Sequence, residues 1–239
     1  MKDQYETYTD HMDEVDVIDQ THELLIQRDS SNNTDGTLND KKLEDAPAVR
    51  SVILVTTAMF MGYAILVTFQ KKLKEAYHIK DDGHHLSNEF SFAVSFLYLG
   101  NLIFRLAHNF VFAFTIPRNR VYIAISSMMC SMLVLYLFVF TLKMIHTLFW
   151  VYLAYILGGI GIGSFESNLL SSITLLGHQT KMWAILGFPL GFALITVGGF
   201  FFSAIGVSTR MIYLSVFIAN FFALLIFTFK IPKVTIKNN

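Results

Sequence analysis

A single carboxylate, Glu166, stands in the segment GGIGIGSFESNLLSSI (158–173), inside an apolar stretch long enough to cross a membrane. A charged side chain at membrane depth is costly in free energy and typically marks the path of an ion or a solute. The other acids that follow Arg50 lie together in one hydrophilic segment (70–89), so Glu166 is the acid that we place inside the bilayer. The sequence therefore predicts that this carboxylate has a cationic partner or exchanges a proton.

The candidate partner is Arg105, which lies in another apolar stretch, YLGNLIFRLAHN. At about 100° per residue, Asn101, Arg105, His108 and Asn109 fall within one third of a helix circumference. An arginine at this depth should face the bundle interior or a wet cavity. We predict that Arg105 and Glu166 lie across one substrate or coupling cavity, joined directly or through solute or water, and that the other three residues line it.

Two alternatives stay open for this polar stripe. Arg105 could instead make structural hydrogen bonds, or extend along its helix until its guanidinium reaches the interface. His108 fits a packing histidine with satisfied hydrogen bonds as well as it fits a proton carrier.

The sequence lacks the motifs of common enzymes and metal sites. The sequence contains no HExxH, no GxSxG, no paired aspartates within an apolar stretch and no cysteine–histidine pair in one stretch. Basic residues are few and scattered, which argues against nucleic-acid binding. We therefore expect no enzymatic activity, no metal site, no cofactor and no nucleic-acid partner.

The composition places these residues in a membrane. Hydrophobic residues make up 54% of the 239-residue chain, charged residues only 15%, and the mean hydropathy is +0.50. These values lie outside the range of soluble proteins. We conclude that the lipid bilayer is the main partner of this chain.

Residues 1–49 differ from the rest because they are polar and hold most of the acids. Such a segment buries too little apolar surface to fold alone, and we predict a disordered, cytosolic, acidic tail. Within it, THELLIQ (21–27) is similar to an acidic dileucine sorting signal, although a short amphipathic patch is the simpler interpretation.

Residues 50–239 are predicted to form an all-α transmembrane bundle of six helices. Each apolar stretch is adequate for a helix across a hydrocarbon core of roughly 30 Å. The predicted spans lie near 51–69, 90–116, 121–142, 147–175, 182–206 and 209–229. A modest excess of Lys and Arg favours cytosolic termini, although the cluster KKLK (71–74) opposes it. Plasma and endolysosomal membranes both fit.

Small residues mark two of these spans. The fourth carries Gly159 and Gly163 in a ridge of small residues at four-residue intervals, and the fifth carries Gly187, Pro189 and Gly191. Such ridges allow two helices to approach to backbone contact, and a proline inside a helix favours a kink. We predict that these positions let the helices rock against each other, with close static packing as the alternative.

In the order of these features, the sequence resembles the N-terminal half of a major facilitator superfamily transporter. The shared features are six spans, a basic segment PRNR between spans 2 and 3, a glycine-rich span 4 and a Gly/Pro-containing span 5. In span 4, the matching glycines are Gly159, Gly161 and Gly163, while Tyr155 stands where the family often has an arginine.

Two further motifs match in part. Arg118 and Arg120 correspond to the basic end of the family's cytosolic loop motif, but Phe110 and Phe114 stand where its glycine and acid are expected. LGFPLGF in span 5 is similar to the family's Gly-Pro pattern with a different spacing. Within the superfamily, Glu166 after a glycine-rich stretch resembles the lysosomal battenin family, which also places a glutamate there.

This resemblance implies a bundle of two inverted three-helix repeats, 51–142 and 147–229, which is half of a complete transporter. It implies secondary active transport of a small polar solute, with Glu166 as protonatable group or amine partner and Arg105 as anion partner or counter-charge. One bundle supplies one wall of a cavity, so the chain would pair with a copy of itself or another half, or be a truncated product. The alternative is a non-transporting membrane adaptor or assembly subunit that recruits partners through its acidic tail.

Overall fold

The computed structural model describes residues 48–79, 85–111 and 114–232, except for the side chains at positions 108, 109 and 111. Nearly all of the predicted acidic tail lies outside these residues. Every regular element within the described ranges is a helix. The helices are α1 (Val52–Thr68), α2 (Gln70–Ala76), α3 (His85–Val111), α4 (Pro117–Val134), α5 (Phe149–Ile173), α6 (His178–Ala193), α7 (Phe200–Ala204) and α8 (Thr209–Phe229).

Three further helical segments adjoin these helices. A π-helical segment, Leu135–Thr141, continues α4, and another, Leu194–Gly199, joins α6 to α7. A 3₁₀ turn, Thr174–Leu176, follows α5.

Five helical segments in the described ranges are long and apolar enough to cross a membrane. They are His85–Ala107, Pro117–Thr141, Phe149–Leu176, His178–Ala204 and Thr209–Phe229. The pair α1 and α2 passes the same criteria together but is bent by 58°, which makes a sixth span if the pair crosses as one. These helices indicate a multi-pass membrane protein.

Several predicted boundaries were wrong. The segment 70–89, predicted as a loop, contains α2 and the first turn of α3. Glu89, predicted to lie in that loop, is in α3, where its Oε1 lies 3.3 Å from His85 Nδ1. Lys, Leu, Glu and Ala are strong helix formers, so the charge of QKKLKEA does not prevent a helix. Leu73 anchors this helix in the core.

Arg118 and Arg120 were predicted in a loop, yet they lie in the first turn of α4. The physical reason is Pro117, whose fixed φ suits the first helical position, where no intrahelical N–H donor is needed. The preceding helix α3 ends at Val111 rather than at 116.

The helices α1 and α5 are the central elements of the bundle. Helix α5 packs against α3 and α4, and α1 packs against α6 and α8. The two central helices also contact each other, and α4 contacts α8. Fully buried Tyr155, Phe165 and Leu169 of α5 lie in the resulting core.

Hydrogen bonds show which helix ends meet at one end of the bundle. The backbone N–H of Val49, before α1, donates to Thr180 Oγ1 in the first turn of α6 (3.1 Å). Arg120, at the start of α4, donates from Nη1 to Asn168 Oδ1 near the end of α5 (3.4 Å). Since α6 begins directly after α5, all four helix ends lie together.

The opposite end is joined in the same way. Tyr77 OH, after α2, donates to Thr147 O before α5 (3.4 Å). Tyr152 OH in α5 donates to Glu89 O in α3 (3.1 Å). The chain thus alternates between the two ends, as a bundle with short connections requires.

Candidate functional site

A glycine crossing brings α3 and α5 into backbone contact. A Cβ atom added to Gly163 would lie 2.6 Å from Asn101 O, and one added to Gly159 would lie 2.8 Å from Leu97 O. A Cβ at Gly100 would lie 3.2 Å from the Cα of Gly159. No real Cβ fits at the two closest positions, so glycine is what permits this approach.

The predicted contact between Arg105 and Glu166 is present directly beside this crossing. Arg105 follows Asn101 by one helical turn, and Glu166 follows Gly163 by three residues. Arg105 Nη2 donates to Glu166 Oε2 at 2.6 Å. A charge-assisted hydrogen bond of this length is among the stronger polar contacts in proteins.

The ion pair lies at the surface of the bundle rather than in its interior. The Arg105 side chain is 57% exposed and that of Glu166 is 33% exposed. Of the two positions predicted for Arg105, the bundle interior is therefore wrong in this structure. The open face of α3 and α5 carries both charges.

The remaining residues of the predicted stripe have separate outcomes. Asn101 is half-buried, with its backbone at the glycine crossing. His108 and Asn109 belong to α3, but their side chains lie outside the described part, and their role in the cavity stays a prediction.

Two tyrosines that the sequence did not single out are Tyr98 of α3, which is exposed, and the partly buried Tyr63 of α1. Tyr98 is seven residues before Arg105, which places both on one face of α3, so helical periodicity held a signal for it. Tyr63 belongs to another helix and gave no such signal.

An aromatic groove extends from Tyr63 across α1 and α6. Phe60 stacks on Phe188 with ring centroids 4.6 Å apart, and the Tyr63 ring lies 6.1 Å from that of Phe192. The groove has a volume of about 520 Å³ and is lined by Phe60, Phe188, Pro189, Phe192, Ala193 and Thr196. We call these six residues the aromatic groove.

A larger depression of about 700 Å³ adjoins the aromatic groove along α6. The two share Phe188 and Pro189. Gln179 at its far end supplies a polar amide, whereas most of its other lining residues are apolar. The exposed face of α6 is thus concave along much of its length.

Gly187 and Gly191 pack α6 against α1. A Cβ at Gly187 would meet Thr56 Oγ1, and would lie 2.8 Å from Ile53 O. A Cβ at Gly191 would meet Thr57 O. Both glycines therefore make the close contacts that the sequence predicts, and rocking between these helices stays a prediction.

Pro189 does not end its helix. Helix α6 continues through Pro189 to Ala193, and α-helical geometry gives way only afterwards, in the π-helical segment Leu194–Gly199. A bend of 58° between adjoining helices lies at Phe69, and the kink at Pro189 stays a prediction.

Arg118 and Arg120 bind backbone carbonyls at one end of the bundle. The Arg118 guanidinium donates to Phe227 O (3.0 Å), Ile231 O (2.9 Å) and Pro232 O (3.1 Å). These hydrogen bonds cap the C-terminus of α8. A cation at this position also opposes the negative end of the helix dipole. Arg120 is buried and donates from Nε to Thr115 O at 2.8 Å. Their contacts are structural in this conformation.

No family model, curated protein or solved structure matches this chain. Any function must therefore be argued from the ion pair, the tyrosines and the aromatic groove.

Proposed function

We propose that this chain is a membrane transporter that moves a small polar solute by secondary active transport, coupled to protons, with the bundle of a half-size major facilitator. The observation that carries this proposal is the Arg105–Glu166 ion pair, which lies between two membrane-spanning helices with both side chains partly exposed.

Exposure is what separates this pair from a structural ion pair. A charge that faces lipid at membrane depth costs at least a few kcal/mol. A side chain that is 57% exposed in a single bundle is therefore more favourable against water, lipid headgroups or another protein surface than against lipid tails. A transport cavity closed by a second bundle supplies two of these surroundings.

The chemistry of the ion pair fits the coupling of solute transport to protons. Glu166 accepts a proton or a solute amine, and either event weakens its attraction to Arg105. Arg105 is then available to a carboxylate or phosphate of the solute. A ligand that binds the separated pair better than the joined pair shifts the bundle toward the conformation in which the two groups part.

The helix pairings support an inverted repeat. Exchanging α1 with α5, α3 with α6 and α4 with α8 turns the α3–α5 contact into the α6–α1 contact. The same exchange turns the α4–α5 contact into the α8–α1 contact, and it leaves the α4–α8 and α1–α5 contacts in place. Two three-helix repeats related by a two-fold axis would make these pairings, whereas the smaller α1–α4 and α5–α6 contacts have no comparable counterpart under the exchange.

We further propose that a second copy of the chain supplies the opposite wall of the cavity, with both termini of each copy in the cytosol. The charged face lies on α3 and α5, and the aromatic groove lies on α1 and α6. Two such faces opposed across an axis would enclose both features.

The test is proton movement in proteoliposomes with an internal pH-sensitive dye. Inward gradients of a panel of amino acids, sugars and organic acids are imposed in turn. We expect at least one solute to drive proton flux, and Glu166→Gln to reduce that flux at least about tenfold. Glu75→Gln is the matched control, because Glu75 pairs with Lys72 outside the site (3.2 Å) and should leave the flux unchanged.

Two results would count against the proposal. If Glu166→Gln keeps uptake and its pH dependence, the coupling role of Glu166 is wrong. If the intact chain moves none of the solutes, the adaptor function is favoured, and deletion of the acidic tail should then abolish targeting.

A further inference from the structure

An exposed arginine, Arg50, lies beside the depression of about 700 Å³ on α6. Its guanidinium carbon is 5.9 Å from the ring centroid of Trp183, and Trp183 is itself one of the residues that line the depression. The hydrogen bond from Val49 N–H to Thr180 Oγ1 (3.1 Å) holds the chain before α1 beside the first turn of α6. A cation and an apolar wall therefore meet at one shared side chain.

The wall of the depression is mostly apolar and follows the axis of α6. Met182, Ile185 and Leu186 line it, and each of these side chains is more than half exposed. From Gln179 to Pro189 the helix rises about 15 Å, at about 1.5 Å per residue. One leaflet of a hydrocarbon core of roughly 30 Å has the same depth. An acyl chain of that leaflet therefore matches the wall in both length and polarity.

Two cations lie at the interfacial end of this wall. Trp183 is in the second turn of the segment His178–Ala204, and Trp is enriched where membrane helices enter the interface. Arg50 is exposed there, and the half-buried Lys181 precedes Ile185 by one turn on the same side of α6. A guanidinium matches a phosphate through two parallel hydrogen bonds. This end of the depression therefore suits a phosphate headgroup.

Carboxylates do not oppose a negative headgroup at this end of the bundle. Within the described ranges, the carboxylate side chains are those of Glu75, Glu89 and Glu166. Glu75 and Glu89 belong to the opposite end, and Glu166 binds Arg105. The ring face that a quaternary ammonium headgroup would prefer already carries a guanidinium. Charge complementarity thus favours an anionic headgroup over a zwitterionic one.

We propose that the depression on α6 binds one anionic phospholipid from the leaflet at this end of the bundle. Its headgroup phosphate binds Arg50 and Lys181, and one acyl chain lies along Met182, Ile185 and Leu186. The site does not require that the chain transports a solute, so it can be tested by lipid binding alone.

Trp183 reports on this site by its fluorescence, because the sequence contains one other tryptophan, Trp150. Trp150 lies at the start of α5, at the opposite end, where it stacks on Phe138. Trp150→Phe removes the second emission and keeps an aromatic ring in that stack. The full chain with this substitution is reconstituted in phosphatidylcholine vesicles that contain either brominated phosphatidylglycerol or brominated phosphatidylcholine. Bromine on an acyl chain quenches a tryptophan that the chain contacts.

Titration of the brominated fraction gives the affinity of each lipid for the site. We expect phosphatidylglycerol to bind at least about fivefold more tightly than phosphatidylcholine. Arg50→Gln should lower this preference at least about threefold. Lys230→Gln is the matched control, because Lys230 is an exposed cation at the same end of the bundle, after α8, and it should leave the preference unchanged. Size-exclusion chromatography verifies that each variant is folded.

Four results would overturn the proposal. Equal affinity for the two lipids would show that the depression selects no headgroup. Equal effects of Arg50→Gln and Lys230→Gln would show a general attraction to this end of the bundle. Loss of quenching in an excess of glycerol 3-phosphate would show that a free phosphate suffices. Protection of Trp183 from both brominated lipids would show that another protein surface, such as a second copy of the chain, covers the depression.

Discussion

Arg105 and Glu166 are stable among apolar helices because each neutralises the other at 2.6 Å. Removing one partner takes the ion pair away from the remaining charge, whereas removing both leaves an apolar surface. The pair should therefore show strong coupling in a double-mutant cycle even though it contributes little net stability.

We expect Arg105→Leu and Glu166→Leu each to lower the free energy of unfolding by about 1 to 2 kcal/mol. The double variant should lie within about 1 kcal/mol of the unmodified chain, because it leaves no unpaired charge. Reversible chemical unfolding in detergent micelles measures all four stabilities. Additive losses would mean that the two side chains do not stabilise each other.

At the scale of helices, the glycine crossing determines whether the ion pair can form. Gly163 meets the backbone of Asn101, which has no freedom to move aside, and a Cβ there would lie 2.6 Å from its carbonyl oxygen. The crossing thus sets the separation of α3 and α5 one turn before Arg105 and Glu166 meet.

Gly163→Ala should lower the free energy of unfolding by about 1 to 3 kcal/mol, because the added methyl forces the two helices apart. Gly198→Ala is the control, since its nearest neighbour would be a Phe202 ring carbon at 4.0 Å. That substitution should change stability by less than about 1 kcal/mol, because alanine favours the helix. Thermal unfolding measures the stability of both variants. If the two substitutions lower the stability equally, the close contact between α3 and α5 is not the reason that Gly163 is required.

The bend of 58° between α1 and α2 also has identifiable causes. Leu66 O, in the last turn of α1, accepts a hydrogen bond from Tyr155 OH at 3.1 Å. Phe69, at the junction, stacks on Phe200 and lies where a Cβ at Gly199 would be 3.0 Å from its ring. A satisfied carbonyl and a packed ring together hold the bend. Tyr155, where the resemblance leads one to expect an arginine, thus has a structural role.

At the scale of the molecule, the open charged face predicts self-association. One bundle leaves Arg105 more than half exposed, and a second copy would cover it. We expect a dimer, at twice the 27.2 kDa mass of the chain, by native mass spectrometry from a mild detergent or nanodiscs. A strict monomer that still transports would show that one bundle suffices. A strict monomer without transport would indicate an accessory role.

Much of the fold was predictable because hydropathy and helical periodicity are local properties. A run of apolar residues specifies a membrane helix wherever it packs, and a stripe of Gly159 and Gly163 specifies a close contact with some neighbour. Five spans and the bent sixth were found on this basis. Boundaries such as Gln70–Ala76 were missed because short charged helices carry no hydropathy signal.

Within the candidate site, only the contact between the two charged residues could be predicted from the sequence. Arg105 and Glu166 are oppositely charged residues within apolar stretches, so their contact follows from the cost of leaving either alone. Their functional role stays a prediction.

The sequence by itself determined the membrane class of this protein, most of its helices, and the pairing of Arg105 with Glu166. Only the tertiary structure decided that the pair lies on an open face. The same holds for the cap that Arg118 places on α8. The physical reason is that contacts between helices depend on which faces meet across the bundle, and no local pattern along the chain encodes that choice.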